Sequence, residues 1–145
     1  MTGLRQRYRL YAAEMRATQP WRWFASPQAA QLWLDKKLRT KFWRKHSHIR
    51  HVKLVYPFMG AMSGATLDGD ILVIEVLPES LAVPTLIHEL AHGLVWIPGK
   101  DPEKDHGRRY AGALIEVYRH FDCAATADAL IAEFDNRQVK WEEYR

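Results

Sequence analysis

The sequence predicts an α+β fold, with a small, mostly antiparallel sheet packed against one central helix and two to three further helices, in a single domain over residues 1–145. Three observations predict it. Apolar residues recur at helical spacing in four stretches between Ser26 and Arg137. Shorter stretches between His51 and Val76 alternate with the period of a strand. The chain has 145 residues, 48% of them hydrophobic, with six Trp, six Tyr and five Phe, which is enough for one core.

At the N-terminus, Tyr8, Leu10 and Tyr11 suggest a short strand, and Ala12 to Met15 the start of a helix. Pro20 constrains Gln19, so residues 19–23 read as a connection. Ser26 and Pro27 are an N-cap and a first helical residue, and this helix is expected to run to about Lys45. Ala30, Trp33, Leu34, Leu38 and Phe42 form its apolar face. His51 to Tyr56 is a strand pattern. Ala65 to Val76 reads as two strands around the turn Asp68-Gly69-Asp70, the second apolar on both faces and therefore internal. A helix with Pro84 in its first turn follows and ends near Trp96, before Pro98-Gly99. Two more helices are expected, from about His106 to Phe121 and from Thr126, a plausible N-cap, to Arg137.

Composition excludes several classes. No apolar run approaches the ~20 residues that span a bilayer, so no membrane partner is expected. Residues 1–16 are basic without an apolar core, so no secretory signal is expected. The single cysteine, Cys123, excludes an internal disulfide and fits a reducing cytoplasm; it reads as a small buried side chain. The formal charge is +4, and no acidic residue occurs between Asp35 and Asp68. The basic stretch Lys36–Lys53 is either a solvated face or a surface for nucleic acid or another acidic partner.

The helix after Pro84 carries the chemistry. His88 and His92 are four residues apart, so both imidazoles leave one face of the helix and can meet at one point. Glu89 lies about 100° around the same helix, where it can deprotonate a metal-bound water without becoming a ligand. His-Glu-x-x-His is the zinc metalloprotease signature. Its neighbours Leu86, Ile87, Leu90, Ala91, Leu94 and Val95 are apolar, and a buried helix carries three polar side chains only where something satisfies them.

A catalytic zinc commonly has three protein ligands. The extended pattern with Gly and a third His at fixed distances is excluded, because Val95 and Pro98 occupy those positions. His106, opening the next helix beside Gly107, is the preferred third ligand; Glu116, or Asp105 with the nearby Asp101 and Glu103, are the alternatives. Asp105 is otherwise a candidate to orient a ligand imidazole by accepting its outer N–H. Tyr110 and Tyr118 are candidate oxyanion stabilisers. His46, His48 and His51 read as a solvated cluster, and His120 as a helix-end residue suited to the helix dipole.

His88-Glu89-Leu90-Ala91-His92, followed by Asp105-His106-Gly107-Arg108-Arg109-Tyr110, resembles the arrangement of SprT-like zinc metalloproteases. It is more similar still to a group of small metallohydrolases of actinobacteria and their phages, which begin with a segment similar to Gln6–Glu14. The resemblance covers most of the chain. It implies a minimal zincin fold, one zinc per chain held by His88, His92 and His106, and Glu89 as the base. The chain departs from many SprT relatives in having no four-cysteine zinc ribbon.

The expected function is therefore a zinc-dependent hydrolase acting on a peptide or protein substrate. Two rivals remain at this stage. One is a non-catalytic zincin-fold protein, such as a phage or mobile-element component; the other is a protease that acts on DNA-bound proteins through Lys36–Lys53.

Overall fold

The computed structural model describes residues 2–97 and 106–145. Among them are six α-helices and one three-stranded mixed sheet, an α+β architecture. They form two compact units, one of Trp21–Leu94 and one of Met1–Pro20 with Val95–Arg145. No helix among the described residues is long and apolar enough to cross a membrane.

In the Trp21–Leu94 unit, α2 spans Pro27–Leu38, with the Ser26 hydroxyl accepting from Ala29 N over 3.0 Å. The expected helix to Lys45 is in fact two. Thr40 divides them, because its hydroxyl donates to Lys37 O (2.7 Å) and accepts from Trp43 N (3.3 Å). It thus closes α2 and caps α3, Lys41–His46, a case of a side chain competing with the helical ladder. The break allows Trp43 to be fully buried, with its indole N–H donating to Ile49 O over 2.9 Å.

The strands are β1 (His51–Val55), β2 (Gly64–Asp68) and β3 (Ile71–Glu75), in the order β1-β3-β2. The β2–β3 hairpin is antiparallel and turns at Gly69, whose φ of 63° suits a residue without Cβ. β1 runs parallel to β3, so the sheet is mixed rather than mostly antiparallel. Alternation fixes which face each strand buries and leaves its neighbours open. β3 is central as expected, with Leu72 and Ile74 fully buried.

The two outer strands differ. Gln31 of α2 donates its amide to Val52 O (2.9 Å) and accepts from Leu54 N (2.9 Å), so one side chain occupies the outer rim of β1. β2 pairs only with β3 among the described strands. From β3 the chain reaches α4, Val83–Val95. Its approach is strapped by Phe24 N donating to Leu81 O (3.0 Å) and Val83 N donating to Arg22 O (2.9 Å). A Cβ on Gly93 would lie 2.9 Å from Leu72 Cδ2, so this glycine lets α4 sit directly on the sheet.

The other unit is helical: α1 (Thr2–Ala17), α5 (Arg108–Phe121) and α6 (Ala124–Asn136), with α6 packed against both others. The expected strand at Tyr8–Tyr11 is part of α1. Leu10, Ala13 and Glu14 are buried at helical spacing, while Tyr8 is 61% exposed, so the aromatic alternation did not mark a core face. α6 starts two residues before Thr126, after Cys123 at the cap position. Cys123 is exposed, against the expectation of burial, because the cap between two helices faces solvent. Its thiol is lowered from its ordinary value, chiefly by a hydrogen bond with Thr126. The C-terminal segment returns over α5: Glu142 N donates to Arg108 O (3.2 Å), and a Cβ on Gly112 would collide with Glu142 O. Gln6 of α1 holds the same segment at both ends of its amide, donating to Lys140 O (2.7 Å) and accepting from Lys140 N (3.2 Å).

Candidate metal centre

α4 presents its polar residues in the way its sequence requires. Leu86, Ile87, Leu90 and Ala91 are fully buried. His88 and His92 sit one turn apart, partly exposed, with ring centroids 5.2 Å apart and planes at 71°. Glu89, between them in sequence, is only 4% exposed. Arg109 donates to Val95 O (2.8 Å).

His106 comes from the residue pair before α5. It is 4% exposed and its φ is 51°, in the left-handed region that non-glycine residues rarely enter. Residues in such conformations cluster at functional sites, where surrounding structure holds them. Two tyrosines do so here. Tyr11 of α1 lies edge-on at a centroid distance of 5.0 Å and 68°, and Tyr110 of α5 at 4.7 Å and 84°. Tyr11 Oη is 3.4 Å from His106 Nε2.

The ligand atoms of His88, His92 and His106 all lie within 4.8 Å of one another, the one such group of three among the described residues. A tetrahedral zinc about 2.0 Å from each of three imidazole nitrogens is the arrangement such a group would have to reach. Three imidazoles suit zinc, and also copper, iron or nickel.

The other candidate residues are placed as follows. Asp105, Asp101 and Glu103 lie outside the described residues. Glu116 faces two side chains of its own helix, 3.6 Å from both Arg119 and His120. Tyr110 is fully buried beside His106. Tyr118 is fully buried and its hydroxyl donates to Glu14 over 2.6 Å. Burial first, and Glu14 second, hold its pKa well above the ordinary tyrosine value. His48 and His51 are exposed, and His46 packs against the Phe42 ring at 5.1 Å. Tyr11 is the residue that sequence reasoning did not bring to the site. Read as part of a strand, it carried no signal; in α1 it shares a face with Glu14 and Thr18, three and seven residues on.

No protein-family model, curated protein or solved structure matches the chain. The case for a metal centre is thus carried by the chain's own imidazoles, the Glu89 carboxylate among them in sequence, and the tyrosines that fix His106.

Proposed function

We propose that the protein is a zinc-dependent hydrolase of the minimal zincin type, most directly a peptidase, with His88, His92 and His106 as ligands and Glu89 as general base. The grouping of the three imidazoles within 4.8 Å is the observation that carries this reading. When bound, the zinc supplies Lewis acidity at the scissile carbonyl and lowers the pKa of its water toward 7. The remaining work belongs to side chains. Glu89 takes the proton of the attacking water and returns it to the leaving amine. An extended peptide adds to the sheet at β2, because Gln31 already occupies the rim of β1.

Glu89→Gln tests the assignment. The variant is expected to bind zinc as the wild type does, by elemental analysis, and to lose about 10²- to 10⁴-fold in turnover of an unstructured protein. Turnover retained in that variant would remove Glu89 from its role. Zinc bound by a wild type that hydrolyses nothing would instead favour a structural or binding function for the same fold.

A second reading concerns the partner. Lys36, Arg39, Lys41, Arg44, Lys45, Arg50 and Lys53 are all exposed. A hydrolase with such a face would meet substrates held on nucleic acid. Binding to duplex DNA at low salt, falling linearly with log salt and lost on joint charge reversal of Lys36, Arg39 and Lys41, is the expected result. No binding at low salt removes this reading and leaves the hydrolase intact.

A further inference from the structure

We propose that Tyr11 is the positioning residue of the metal centre: its hydroxyl takes the Nε2–H of His106 and so presents Nδ1 as the nitrogen that meets the metal. The inference rests on the reading of His106 as a ligand. A metal-binding imidazole usually donates its other ring N–H to an outer partner, which fixes both tautomer and ring orientation. The structure supplies one such partner on His106, Tyr11 Oη at 3.4 Å from Nε2. Nδ1 lies on the other side of the ring and is closed to solvent.

The rest of the surroundings acts in the same direction. Tyr11 and Tyr110 hold the His106 ring edge-on from two helices, α1 and α5, at 5.0 and 4.7 Å. The backbone beneath is in the left-handed region, a conformation that the ring contacts help to maintain. α1 is itself anchored to α5 by Tyr118 donating to Glu14, one turn beyond Tyr11. Tyr11 is thus held by a helix whose register is pinned, which is what a ligand-orienting group requires.

The test uses the full chain with zinc. Tyr11→Phe keeps the ring and removes the hydroxyl, and is expected to weaken zinc binding by about 10- to 100-fold in competition with a chelator. Long-range ¹H–¹⁵N spectra of the zinc-loaded wild type are expected to show His106 as the Nε2–H tautomer. Zinc affinity equal to wild type, or an Nδ1–H tautomer, overturns the proposal. Should Tyr11→Phe fail to fold, the wild-type tautomer decides alone. A wild type that binds zinc without turnover ends the hydrolase reading and leaves Tyr11's role standing; one that binds no zinc ends both.

Discussion

Tyr118 donates to the Glu14 carboxylate over 2.6 Å where both side chains are closed to water. A hydrogen bond to a charged group contributes about 1.5–3 kcal/mol, and removing the donor leaves a buried carboxylate short of a partner. Tyr118→Phe should therefore lower the unfolding free energy by about that amount near neutral pH, measured by denaturant titration. The pH dependence has a definite sign. The folded-state pKa is raised, so the native chain holds this proton more tightly than the unfolded chain. The stability is fully present below the ordinary tyrosine value of 10.0 and is lost as pH rises beyond it. Wild type and Tyr118→Phe should converge above pH 10; curves that stay parallel there would show that the hydroxyl is not held in this way. At this scale the sequence was informative where chemistry is local. His88 and His92 are one turn apart by their spacing alone. Tyr11 is 95 residues from His106, and no local pattern links them.

Among the elements, faces were legible and partners were not. β3 was expected to be internal from apolar residues on both sides, and it is. The parallel pairing of β1 was hidden, because alternation is the same in either direction. The division of α2 from α3 was hidden too, because apolar spacing continues through Thr40 while its hydroxyl interrupts the ladder. α1 was misread because Tyr8 and Tyr11 suggested a strand where Leu10, Ala13 and Glu14 supply a helical face. Gln31 is an element-scale device of the same kind as Thr40. Gln31→Leu removes both of its bonds to β1 and is expected to lower stability by about 1–2 kcal/mol, since intramolecular amide bonds contribute about 1 kcal/mol each. A denaturation midpoint unchanged from wild type would show that water replaces the glutamine without loss.

For the whole molecule, the positive charge and the sheet face different problems. A formal charge of +4, with no acidic residue between Asp35 and Asp68, keeps copies apart by repulsion and draws polyanions near. A sheet with open rims does the reverse, since any extended chain can add to it. With β1 occupied by Gln31, this sheet has, among the described residues, a valence of one. Two copies that meet through β2 exhaust each other's capacity and stop at a pair. A fibre needs two open rims on every subunit, and here that second rim is withheld by a single amide side chain.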